Sequence, residues 1–174
     1  MASPITLKPS HQPVRAYYLA LAQLANVGAQ HETAVREAWH RLIETCAGPL
    51  HWTLVREYAL ARPSGASLRL DGALLDEFRL VHGVVEDKND ADDLAVELRA
   101  KLKLGYPAKN TLFWQPRRAL LVQDGKVALD CYLDTQPGQL CKILARFFDY
   151  REPVIAAGAC LFVEFRDSVG ELLA

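Results

Sequence analysis

Two acidic positions and one lysine in the middle of the chain have the types and spacing to do chemistry. Asp71 ends one apolar run, and a second run, Gly83-Val84-Val85, delivers Glu86-Asp87-Lys88. Side chains alternate along a strand, so Glu86 and Lys88 share a face and Asp87 takes the other. Two carboxylates can hold a hard cation such as Mg²⁺ through oxygen. A neighbouring lysine can orient a water or help to deprotonate it, and the cation lowers that water's pKa and stabilises charge on phosphate oxygens. The chemistry this set could perform is metal-assisted attack on a phosphodiester. The bland alternatives are an exposed Glu86–Lys88 ion pair and, for Asp71, a turn residue, since Asp-Gly is a common turn dipeptide. Asp76 is the competing aspartate, with a capping or connector role as its simpler reading.

The elements that must position these residues follow from periodicity. A helix starts near Pro13, which suits a first helical position, with Val14, Tyr17, Tyr18, Leu21 and Leu24 as its apolar stripe, and the pattern stops at Gly28. A second helix from about His31 to Ala47 buries Ala34, Val35, Ala38, Trp39, Leu42, Ile43 and Cys46, and Gly48-Pro49 ends it. The segment WTLVREYAL reads as a strand, strand signals resume at Ser67–Leu70, break at Asp71-Gly72 and continue weakly through Leu75, and His82–Lys88 is the next strand. Asn89 or Asp90 is placed to cap a third helix that Gly105 closes. Thr111–Trp114 and Ala119–Gln123 are short strands, and Asp124-Gly125 signals a hairpin. A fourth helix spans Gln136–Tyr150, and a last helix runs from roughly Ile155 to Leu173. The order α-α-β-β-β-α-β-β-β-α-α favours an α/β layered domain with a mixed sheet flanked by helices.

Composition sets bounds on partners. The 174 residues are 51% hydrophobic and 24% charged, enough for one sizeable core. The net charge of −1 gives no global basic signature of a nucleic-acid binder. Lys101, Lys103, Lys109, Arg117 and Arg118 form the densest basic stretch, able to touch phosphates or simply to face solvent. Cys46, Cys131, Cys141 and Cys160 are widely spaced and read as free thiols of a cytoplasmic protein. His31, His40, His51 and His82 lack metal-ligand spacing. The N-terminus shows no signal-peptide pattern, and no apolar run reaches about 18 residues, so no membrane partner is expected.

Taken together these pieces resemble the PD-(D/E)xK nuclease superfamily. More narrowly the chain resembles the N-terminal nuclease domain of single-polypeptide, type I-like (type ISP) restriction–modification enzymes. The matching stretches are HETAVREAWHRLIE, HWTLVREYAL, LRLDGALLDEFRL, VEDKNDADDLAVELRAKLKLGYPAKNTLF, RRALLVQDGKV and ARFFDYREP, in this order over about residues 30–153. Leu70 stands where the motif name has proline. The core strand reads Val85-Glu86-Asp87-Lys88-Asn89 where the family form is closer to Trp-Glu-Ala-Lys-Asp.

The resemblance implies a restriction-endonuclease-like fold with the catalytic set Asp71, Glu86 and Lys88. Its metal ligands would be Asp71, Glu86 and the backbone carbonyl of Asp87, with Glu32 of the first core helix adding a contact and Glu37 the nearby alternative. It implies Mg²⁺, replaceable by Mn²⁺, as cofactor and DNA as partner, cut within a restriction–modification or phage-defence system. Helicase or translocase and methyltransferase domains of a larger polypeptide, and a dimer on DNA, would be further partners. It divides the chain into a lead-in with the first helix (1–29), a nuclease core (30–153) and a C-terminal helix (154–174) of one domain, either excised from a larger protein or a small stand-alone relative. Two rivals stay open: a catalytically degenerate module of the same fold for DNA binding or protein docking, and an RNA-directed or repair nuclease of the same superfamily.

Overall fold

Alternation of apolar residues over 5 to 9 positions builds six strands, and 3.6-residue periodicity builds the helices around them. In the computed structural model, which describes residues 6–26, 32–62 and 65–152, the order is α1 (Gln12–Asn26), α2 (Glu32–Ala47), β1 (Thr53–Ala61), β2 (Ser67–Leu75), β3 (Val81–Asp87), α3 (Leu94–Lys103), β4 (Asn110–Trp114), β5 (Arg118–Gln123), β6 (Lys126–Tyr132) and α4 (Pro137–Phe148). The strands lie in one mixed sheet in sequence order. Every neighbouring pair is antiparallel except β3 and β4, which run parallel. A parallel step needs a crossover, and α3 supplies it. The last helix expected from Ile155 to Leu173, with Cys160, lies outside the described residues.

Both faces of the sheet are covered, as the period of two along its central strands requires. Leu112, Leu121 and Val85 point to one face and pack with Tyr17 of α1, Trp39, Leu42 and Ile43 of α2, and Leu140, Ile143, Leu144 and Phe147 of α4. Phe113, Leu120 and Val122 point to the other face, against Leu94 and Leu98 of α3. Trp39 stacks on Trp114 with ring centroids 4.8 Å apart and planes 4° from parallel, fixing α2 over the end of β4.

Two local expectations are corrected. The strand does not break at Asp71-Gly72: β2 runs through it, with Gly72 opposite Arg56 on β1 and Val85 on β3. The glycine serves close packing there, since a Cβ would lie 3.0 Å from Leu54 Cδ1 and 3.6 Å from Val85 Cβ. The third helix starts later than Asn89 or Asp90. Its N-cap is Asp93, whose carboxylate accepts from the amides of Ala95 (2.8 Å) and Val96 (3.3 Å). Asn89 and Asp92 instead close a turn on each other. The Asp124-Gly125 hairpin is present, with φ of 50° and 76°, the positive pair that tight turns of this kind require. Among the described residues no helix is long and apolar enough to cross a membrane, and Cys46, Cys131 and Cys141 are buried free thiols.

Candidate active site

Antiparallel register brings the two carboxylates together. Gly72 and Val85 are the last pair of the β2–β3 ladder, and Asp71 and Glu86 are the next residues beyond it. Residues directly opposite share a face, here the face covered by α3. Asp71 Oδ2 also accepts the Asp87 backbone amide at 3.0 Å, locking this edge of β2 to the end of β3. The Lys88 amide donates to the Trp114 carbonyl (2.8 Å), holding the chain beside β4 as it leaves β3. The Gln115 side-chain amide donates to the carbonyls of Asn89 and Asp92 and braces the loop into α3.

Glu86 is the centre of the site and is fully buried, at 0% exposure. Its Oε1 lies 2.9 Å from Lys88 Nζ and 2.5 Å from Lys101 Nζ, and its Oε2 accepts the Tyr106 hydroxyl. Lys88 reaches a second acid, Glu97 Oε2, at 3.1 Å. Glu97 and Lys101 are one helical turn apart on α3, so a single helix face supplies both. The Lys101 ammonium sits 4.6 Å from the centroid of the Tyr106 ring, within cation–π range.

These contacts set the charges. Burial pushes the Glu86 pKa up, but the bonds from Lys101, Tyr106 and Lys88 outweigh it and hold the carboxyl below its ordinary range. Asp71 moves the other way: burial first and then the Glu86 charge raise its pKa, only partly offset by the Asp87 amide and Lys101. Lys88 loses to desolvation but gains more from Glu86 and Glu97, and stays protonated more firmly than a free lysine. Desolvation and the adjacent Glu86 charge raise the Tyr106 phenol, so it remains a donor.

Asp87 faces α2, as alternation requires. Its Oδ2 is 2.6 Å from His40 Nε2 and 3.6 Å from Arg36 Nε, and both Asp87 and His40 are buried. This buried pair ties the Glu-x-Lys strand to α2. Glu32 begins α2, but its side chain lies outside the described residues. Glu37 is engaged by Arg56 in a two-pronged ion pair (2.7 and 3.3 Å). Asp76 caps the loop between β2 and β3, accepting from the amides of Phe78 and Leu80 and pairing with His82.

The chain is similar to one in a cryo-electron microscopy structure of a DrdV–DNA complex. The TM-score is 0.74 and the sequence identity 30%, over 92% of this chain and 15% of that one. This chain therefore spans about a seventh of the length of that relative. No protein-family model and no curated protein matches the sequence.

Of the basic residues singled out from sequence, Lys101 lies inside the acidic cluster. Lys109 is paired with Glu152, Arg117 with Asp90 (3.5 Å) and Arg118 with Asp130 (2.7 Å), and Lys103 is exposed at the end of α3. Sequence reading missed Tyr106 and the part played by Glu97. The i, i+4 spacing of Glu97 and Lys101, in the helix directly after Glu86-Asp87-Lys88, was the available signal. Gly105-Tyr106-Pro107 falls within a stretch that resembles the nuclease family, but reads most simply as a helix end leading into a strand.

The donor chemistry fits a hard divalent cation. Asp71, Glu86 and Glu97 set three carboxylates against the two ammoniums of Lys88 and Lys101, and burial first and then the Glu86 charge raise the Asp71 pKa. Among the described residues no three His, Cys, Asp or Glu side chains converge into a metal cage. A two-carboxylate set suits Mg²⁺, which keeps several of its waters and takes few protein ligands.

Proposed function

We propose that this domain is a metal-dependent endodeoxyribonuclease of the PD-(D/E)xK type, hydrolysing DNA phosphodiesters within a restriction–modification or phage-defence system. The observation that carries the reading is the juxtaposition of Asp71 and Glu86 across β2 and β3 with Lys88 on the same carboxylate. The likeness to a chain of the DrdV–DNA complex supports DNA as the substrate. In this reading Asp71, Glu86 and the Asp87 carbonyl hold Mg²⁺, or Mn²⁺ in its place, and Glu32 is a candidate for an added contact. The bound ion would lower the pKa of a coordinated water and stabilise charge on the phosphate. Lys88, tied to Glu86 and Glu97, orients the attacking water. The His40–Asp87 pair fixes the strand that presents Glu86 and Lys88. Helicase or translocase and methyltransferase domains of a larger polypeptide, and dimerisation on DNA, belong to the same proposal.

A second reading has one observation in its favour. Both oxygens of Glu86 are already engaged, by Lys88, Lys101 and Tyr106. A catalytically degenerate module kept for DNA binding or docking would look the same in the absence of metal.

Nicking of supercoiled plasmid with Mg²⁺, Mn²⁺ or EDTA separates them. The nuclease reading expects metal-dependent nicking that disappears in Lys88→Ala and in Asp71→Ala. Nicking at the wild-type rate in both variants would remove these residues from the chemistry, and DNA binding indifferent to metal, without cleavage, would favour the degenerate module.

A further inference from the structure

Lys101 is placed where a second cation of the site would be. Its ammonium is 2.5 Å from Glu86 Oε1. It is thus paired with one of the two carboxylates that the metal reading assigns to one cation, on the sheet face that carries both. We propose that Lys101 is a resident counter-ion that competes with the divalent cation for Glu86 and gives way when the cation binds. The inference rests on the metal-site reading above and adds what sets the affinity of that site.

The geometry identifies which partner yields. Glu86 Oε2 accepts from Tyr106 and Oε1 is taken by two ammoniums, so a cation that binds Oε1 displaces one of the two lysines. Lys88 is held at two points, by Glu86 and by Glu97, and its side chain is 14% exposed. Lys101 has Glu86 and a ring face, is 23% exposed, and extends from a helix at the surface. Its long stem lets the ammonium swing into water while the methylenes stay on Tyr106. A doubly charged cation beside Asp71 and Glu86 also offsets the repulsion of two carboxylates on one face more fully than a single ammonium does. Without a divalent cation Lys101 shares with Lys88 and Tyr106 the pairing of Glu86, because an unpaired buried carboxylate is costly.

The test is direct Mn²⁺ binding, measured by isothermal titration calorimetry on the full chain, for wild type, Lys101→Met, Lys101→Gln, Lys103→Met and Asp71→Asn. Lys101→Met keeps most of the stem, and Lys101→Gln covers the case in which it folds poorly. Both are expected to tighten Mn²⁺ binding by about tenfold or more, the effect of removing a unit charge a few ångströms from the ion. Lys103→Met removes the same charge two residues away, on an exposed side chain, and is expected to leave the affinity within about twofold. A merely structural lysine would loosen the site when lost, so unchanged or weaker binding in both Lys101 variants, beside wild-type binding that Asp71→Asn abolishes, overturns the inference alone. No Asp71-dependent binding in wild type or in either Lys101 variant overturns the metal-site reading and the inference with it.

Discussion

Tyr106→Phe isolates one bond of the site. Tyr106 is buried, its ring lies 6.5 Å from that of Phe113, and Lys101 sits over its face. Phenylalanine keeps the ring and the packing and removes only the hydroxyl that donates to Glu86 Oε2. A hydrogen bond to a charged group contributes about 1.5–3 kcal/mol, and the loss leaves a buried oxygen without that donor. At a midpoint of about 2 kcal/mol, and about 3 °C per kcal/mol for a chain of this size, Tm falls by about 6 °C. Urea denaturation at pH 7 should show a lower midpoint at unchanged slope, since the surface exposed on unfolding is the same. The same bond helps to hold Glu86 below its ordinary pKa. A depressed carboxylate contributes stability that is complete above its unfolded pKa, about 4.3, and is lost as pH falls through the folded value. Tyr106→Phe raises that folded value, so acid unfolding begins at a higher pH than in wild type. A double-mutant cycle with Glu86→Gln should return a coupling of at least about 1 kcal/mol. Stability within about 0.5 kcal/mol of wild type at pH 7, or a coupling near zero, would refute the claim that Tyr106 holds Glu86.

Two more outcomes are expected from the same strands. Asp71→Asn should abolish divalent binding while stabilising the metal-free fold by on the order of 1 kcal/mol at pH 7, because burial and the Glu86 charge oppose ionisation of Asp71. Its folded pKa is raised, so the unfavourable contribution is present at neutral pH and relieved as pH falls through that value, and the gain over wild type should shrink in acid when followed by thermal melts. Gly83→Ala places a Cβ 2.6 Å from Cζ of the Phe147 ring, and should cost about 1–3 kcal/mol in chemical denaturation as α4 is pushed from the sheet.

The elements were legible where one period dominates. The α2 stripe and the β4–β5–β6 hairpins lie within a few residues of their sequence assignments, and the acidic pair with its lysine was visible because Glu-x-Lys on a strand fixes its own geometry. What failed was local chemistry with two readings. Asp71-Gly72 has turn composition, yet the need for a residue without a Cβ between Leu54 and Val85 outweighs it and keeps the strand whole. Four acids and amides precede α3, any of which could cap it, and the turn that Asn89 and Asp92 make leaves Asp93 as the cap. Lys101 was read among surface cations because charge spacing along a sequence does not reveal which turn of a helix faces a buried carboxylate. Gly105-Tyr106-Pro107 was visible as a helix end, but the bond from Tyr106 to Glu86 spans 20 residues and needed the tertiary structure.

The single parallel step between β3 and β4 has a consequence for how the molecule assembles. The first three strands form an antiparallel meander, and so do the last three, each by contacts close in sequence, which form fast. The first half carries Asp71 and Glu86, so its ladder brings two like charges together. Lys88 arrives with that half, but Lys101 and Tyr106 arrive only when the crossover has laid α3 on the sheet and joined the halves. Completion of the charge cluster and union of the two meanders are thus one event. A nascent chain that has made only its first half carries a strained acidic ladder, and its cure is the docking of the second.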